Sequence, residues 1–241
     1  MKLFKKLKNI KWINILLFYF LACSFTYLVL KFPNVLKIIS INLFNFNIPF
    51  NWNHGIAILI TSLFGYQAFK FQLKTSFFGN NLKKSILFSL IFLITYTLYG
   101  ISNEYGINQH LWAFIFCLLT LIYNIFEETA WRGFLNDNLN SIPFWLKGII
   151  TGVFWGLWHL FVFENFNQFG GLHIFILLCI ILSVIIAYAT DRTNSVLVAA
   201  SIHALFCKTN YATLICASIL IVLIVTWNND YKINKRERLF K

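Results

Sequence analysis

The sequence predicts an all-α fold, a polytopic transmembrane helix bundle with about eight spanning helices and both termini in the cytoplasm. Three observations predict it. First, 59% of the 241 residues are hydrophobic and only 12% are charged, with a mean hydropathy of +0.71. A soluble domain runs at roughly 45–50% apolar and about 25% charged, so too few charges remain here to solvate a globular surface. Second, the apolar residues gather in runs near the ~20 residues that a helix needs to cross a bilayer. Third, the basic residues sit in short connectors and at the chain ends, as the positive-inside rule requires.

Taken in order, the runs are 12–30, 54–69, 85–102, 110–135, 143–163, 172–190, 195–208 and 210–227. The first follows a basic stretch, MKLFKKLKNIK, and so looks at first like a signal peptide. It is long enough to span and no small-residue cleavage site follows, so a retained helix is expected. Segment 33–53 carries too many Asn and Pro residues to span and reads as interfacial, with Phe and Trp at headgroup depth. The seventh run is short and is expected to dip or tilt within the bundle. Eight crossings from an inside N-terminus put every basic residue except Lys31, Lys37 and Lys208 on the cytoplasmic side. An odd count would strand Lys232, Lys235, Arg236, Arg238 and Lys241 of the tail. With no internal repeat or linker, residues 1–241 read as one transmembrane domain. The Asn, Lys, Ile and Phe usage suggests an AT-rich genome, and a bacterial plasma membrane is the expected location.

The same patterns exclude other classes. The net charge of +12 is spread over connectors and termini, so no nucleic-acid partner is expected. Cys23, Cys117, Cys179, Cys207 and Cys216 all lie in apolar runs without a CxxC pair. A disulfide framework or zinc knuckle is therefore not expected.

An ionisable side chain in a membrane helix costs several kcal/mol unless it is paired or faces a wet cavity, so the informative residues select themselves. The fourth run ends in NIFEETAWRGFL, residues 124–135. Glu128 and Arg132 are four apart and share a helix face, while Glu127 lies about 100° round and needs a partner elsewhere. A salt bridge where the helix leaves the membrane explains Glu128 and Arg132 without function; two adjacent glutamates are harder to explain that way. The fifth run holds His159 in FWGLWHLFVF, and the seventh holds His203 in SVLVAASIHALFC. Either histidine alone also fits a hydrogen-bonded core residue. His54, His110 and His173 sit near run ends and read as interfacial or loop residues. At about 1.5 Å per residue, Glu127 and His203 lie roughly 12–13 Å from their cytoplasmic helix ends, and His159 roughly 18–24 Å. One cytoplasm-facing cavity is thus compatible with all three, and Trp131, Trp155 and Trp158 are placed to line it. A carboxylate and two imidazoles form a hydrolytic set. Glu127 takes a proton from water, and the histidines orient it, stabilise an oxyanion or hold a divalent metal.

The order EExxxR, aromatic-xxx-H, HxxxB, each motif on its own membrane helix, resembles the CPBP family of intramembrane proteases, which includes CAAX prenyl endopeptidases and bacterial Abi, bacteriocin-processing and immunity proteins. The motifs are Glu127 through Arg132 followed by Gly133-Phe134-Leu135, Trp155 through His159, and His203 through Cys207. The resemblance covers about 110–210, the family's catalytic core. It implies an endopeptidase in which Glu127 activates water with His159, Glu128 and Arg132 order the site, and His203 stabilises the oxyanion or binds metal. Zinc on Glu127, His159 and His203 and a metal-free glutamate mechanism both remain open. The implied partner is a peptide or protein substrate reaching the site from the bilayer or its cytoplasmic face. Two positions depart from the family pattern: Trp155 stands where Phe is usual, and Cys207 where Asn or a similar polar residue is usual. A thiol is a poorer donor than an amide, which keeps a second reading in play: a non-catalytic immunity or peptide-binding protein. A transporter would use the same carboxylates, but no inverted repeat or matched pair of broken helices accompanies them.

Overall fold

The computed structural model describes residues 2–44, 48, 50–69, 74–206 and 208–227. Cys207, Lys70 and the basic tail from Lys232 to Lys241 lie outside the described residues. Among the described residues there is no strand, only an isolated bridge between Ser76 and Ser195. The helices are α1 (Lys2–Lys8), α2 (Trp12–Val29), α3 (Val35–Phe44), α4 (Asn53–Phe69), α5 (Leu82–Tyr99) and α6 (Gln109–Glu128). A π-helical stretch, Thr129–Leu135, continues α6 into the short α7 (Asn136–Asn138). There follow α8 (Phe144–Trp158), α9 (Leu172–Thr193), α10 (Val196–Ala204) and α11 (Tyr211–Val225).

Local chemistry sets several of these boundaries. The Asn81 side chain accepts from the Lys84 amide at the start of α5, and Gly100, at φ 83°, ends that helix. Asn210 and Thr213 form a reciprocal capping box on α11. Segment 33–53 contains the ten-residue α3, about 15 Å long and too short to span.

Among the described residues, four helical segments are long and apolar enough to cross a membrane: Trp12–Val29, Leu82–Tyr99, Gln109–Asn138 and Leu172–Thr193. Of the remaining predicted runs, α4 has 17 residues, α8 and α11 have 15 each, and α10 has nine. The polarity is that of a lipid-facing protein. On α9, exposed Ile174, Leu177, Leu178, Ile181 and Ile185 lie along one face, while Ser183, Thr190 and Thr193 are buried. Water would invert that arrangement.

Chain contacts divide the molecule into two compact units. The first comprises Met1–Gln72 and Thr129–Val184. Here α2 packs along α4, and the π-helical stretch packs against α4. Phe134 is fully buried, with its ring 4.2 Å from Phe18 and 5.4 Å from Tyr66, and a Cβ on Gly65 would fall 2.8 Å from it. Trp131 meets Phe18 and Trp158 edge-on, and the Trp158 indole donates to Thr26 Oγ1 at 3.0 Å. Gly148, Gly152 and Gly156 form a stripe on α8 against residues 176–184.

The second unit comprises Leu73–Glu128 and Ile185–Lys241. Here α10 packs on α6 and α5, and α11 packs on α5. A loop from Lys74 to Asn81 grips the junction before α10. Ser76 N donates to Asn194 O at 2.9 Å, Val196 N donates to Ser76 O at 3.0 Å, and Asn80 N donates to Thr193 O at 2.8 Å. This approach requires Gly79, whose φ is +66° and whose added Cβ would fall 2.1 Å from the Thr193 carbonyl.

Candidate functional site

In the second unit α6 presents Thr120, Asn124, Glu127 and Glu128, all buried. Spacings of three, four and eight residues put these groups on one side of the helix, away from exposed Leu111 and Phe114. The sequence reading singled out the two glutamates but not Asn124, one turn before Glu128. Its signal, a polar residue inside an apolar run, was present in the sequence.

Glu128 meets His203 there: its Oε1 lies 2.8 Å from Nδ1, and the two residues are 0% and 8% exposed. A carboxylate oxygen accepts, so Nδ1 of His203 is the donor of this bond. This contact links residues 75 positions apart and so leaves no local signal in the sequence; the pairing of Glu128 with Arg132 expected from their four-residue spacing is a separate matter.

His203 owes its position to the way α10 is held. The Ser195 side chain caps the helix by accepting from Val198 N at 3.2 Å, and Ser201 Oγ lies 2.9 Å from Ser89 Oγ on α5. Just beyond α10, Tyr96 Oη donates to the Leu205 carbonyl at 3.1 Å and lies 2.7 Å from Thr213 Oγ1. A nine-residue helix has little stability by itself; these bonds supply its register.

Arg132 and His159 belong to the first unit. Arg132 is fully buried, and its Nη2 donates to Ser183 Oγ at 2.6 Å. Ser183 lies 3.3 Å from Thr151 Oγ1, which donates to the Lys147 carbonyl at 2.8 Å. The guanidinium stacks over the Trp155 ring, 5.4 Å from its centroid. His159 follows α8 directly, and its Nδ1 donates to the Trp155 carbonyl at 2.8 Å. A carbonyl only accepts, so Nδ1 of His159 is the donor of this bond. Trp155 thus touches both site residues of this unit, one with its ring and the other with its backbone. Ser183 and Thr151 gave no sequence signal, since a hydroxyl in a membrane helix ordinarily bonds its own backbone.

His54 is buried at the start of α4 with its ring 5.7 Å from Trp158, rather than at an interface. His110 and His173 are exposed. Among the described residues, no group of three or more His, Cys, Asp or Glu side chains is arranged to hold a metal ion.

Residues 108–207 match the family model for Rce1-like proteins, described as type II CAAX prenyl endopeptidase Rce1-like. No curated protein and no solved structure matches the chain. The matched segment contains Glu127, Glu128, Arg132, His159 and His203, and ends on Cys207.

Proposed function

We propose, from the premise that residues 108–207 form an Rce1-like domain of the CAAX protease family, that the chain is an intramembrane endopeptidase working by glutamate-activated water. The observation that carries this reading is the buried Glu128–His203 pair at 2.8 Å, an orienting carboxylate on an imidazole within the matched segment. In this reading the Glu127 carboxylate takes a proton from water, assisted by Nε2 of His159, and the water oxygen bonds to the scissile carbonyl carbon. The oxyanion that forms accepts from the site's donors. Glu127 then passes the water's proton to Nε2 of His203, whose added charge Glu128 balances, and His203 delivers that proton to the leaving amine as the C–N bond breaks. Arg132, held by Ser183 and Trp155, orders the carboxylate side of the site. A divalent metal held by Glu127, His159 and His203 is the alternative source of an activated water, and no step here is routed through it.

The topology that goes with this reading has eight crossings with both termini in the cytoplasm of a bacterial plasma membrane, and a peptide substrate entering from the bilayer or the cytoplasmic face. Two contacts support its parity. The loop beginning at Lys74 bonds the junction at Asn194, and Ser141 Oγ donates to the Lys6 carbonyl at 3.4 Å; each pair falls on one side in this topology. Substitution Glu127→Gln tests the mechanism. Peptide cleavage by the purified chain should vanish, and full cleavage by that variant would sink the reading. Cys207 in the place of the usual amide favours a second reading, in which the chain binds a peptide or bacteriocin without cutting it. Binding that survives Glu127→Gln, in a wild type that never cleaves, would establish it.

A further inference from the structure

His159 is held by more than its hydrogen bond. Trp155 and Trp158 on α8 and Phe175 on α9 meet its ring edge-on, with centroids 5.3, 5.0 and 5.1 Å away. The remaining contact differs in kind and in origin. Phe163 stacks nearly parallel on the imidazole, at 19° and 5.2 Å, and it comes from the loop between α8 and α9.

That loop is built as a cover. Phe163, Phe166 and Phe169 turn inward and meet Phe175 at 5.6, 5.1 and 4.7 Å, while Glu164, Asn165, Asn167 and Gln168 are exposed. Its backbone bonds are local: Phe163 N to His159 O, Phe169 N to Phe166 O, and Gly171 N to Phe166 O. Among the described residues, no hydrogen bond from residues 160–171 reaches beyond 159–175. The loop closes on Gly170 and Gly171, at φ +83° and +99°, which supply a backbone pivot that a side-chain-bearing residue resists. Aromatic contacts and short backbone bonds to its own flanks, at His159 and Phe175, therefore seat it, and no hydrogen bond ties it to any other described element.

We propose that Phe163 is a positioning residue for His159, carried by the 162–171 loop as a cover over the imidazole. The Trp155 carbonyl sets which nitrogen faces the site, and the parallel Phe163 ring sets the plane; together they aim Nε2. This inference rests on the endopeptidase reading for its kinetic consequence but not for its geometry. The test uses the full chain in detergent or nanodiscs, with peptide cleavage and diethylpyrocarbonate modification of His159 followed by mass spectrometry. Exposed His110 and His173 serve as internal controls. Phe163→Ala should lower kcat about two- to tenfold, the range an aromatic pair supports, with KM changed less than about twofold. It should also speed modification of His159 severalfold, and Phe163→Tyr or Phe163→Trp should restore both. Should the alanine variant not accumulate, Phe163→Leu keeps the bulk without the stacking face and should show the same split. Wild-type kcat and wild-type His159 reactivity in these variants would overturn the proposal, as would lost activity that merely follows lost folded protein. If the wild type cleaves no peptide, the endopeptidase reading fails, and His159 reactivity alone still decides whether Phe163 covers the ring.

Discussion

At the scale of single residues, charge and hydrogen bonding at the buried pair can be separated. Glu128→Gln keeps an acceptor for His203 Nδ1 but removes the negative charge. In the proposed mechanism that charge matters when His203 holds a proton, so kcat should fall by at least about tenfold with KM little changed; equal kcat in the two proteins would show that Glu128 only orients the ring. Ser183→Ala removes the acceptor for Arg132 Nη2 in a fully buried site. It should cost about 1–3 kcal/mol of stability, read as a lower melting temperature in detergent. Treatment with 1,10-phenanthroline separates the two sources of activated water: cleavage that survives it supports the metal-free mechanism, and loss that zinc restores supports the metal. Of these residues, Glu128 was legible as a buried carboxylate, because a charge in an apolar run has to be explained. The contact with His203 was not, since it joins residues 75 positions apart.

At the scale of elements, the α8 glycine stripe makes a graded prediction. A Cβ on Gly148 would lie 2.4 Å from the Val184 Cα, and one on Gly152 2.6 Å from the Ile180 Cα, whereas Gly156 leaves 3.3 Å or more to its neighbours. Gly148→Ala and Gly152→Ala should therefore destabilise by about 1–3 kcal/mol, and Gly156→Ala by much less. Equal melting temperatures for all three variants would show that α8 shifts to make room. The four-residue spacing is readable in the sequence as a helix-packing stripe; which backbone it meets is not. The helical run expected over 110–135 changes type at Thr129 and continues as a π-helix to Leu135. Sequence periodicity does not distinguish a π-helix from an α-helix over so short a stretch. Tertiary packing decides it here, with Phe134 and Trp131 locked among Phe18, Tyr66 and Trp158.

At the scale of the whole molecule, the matched segment does not coincide with either unit, since residues 129–184 belong to one and its flanks to the other. Contact grouping is invisible to chain order, which reads as one domain over 1–241 with its core at about 110–210. Topology is the measurable quantity at this scale. With the native cysteines replaced, a cysteine at Glu104 or Asn165 should react with a membrane-impermeant maleimide in intact cells. One at Asn140 should react only after permeabilisation. Labelling of Asn140 from outside would refute the eight-crossing arrangement. The count was inferred from charge asymmetry, a bookkeeping of ends, whereas four segments among the described residues meet the full span in length and composition.

Composition and hydropathy by themselves determined that this chain is helical and lies in a membrane. The spacing of Glu127, Glu128 and Arg132, followed by His159 and His203, pointed to the family whose model matches residues 108–207, because charges and imidazoles have few other reasons to stand in apolar runs. Only the tertiary structure decided which atoms meet. It gave Glu128 to His203, set Arg132 on Ser183 and Trp155, and closed Phe163 over His159. Those partners are hydroxyls, carbonyls and rings, too common in a membrane helix to signal a contact until folding brings them within reach.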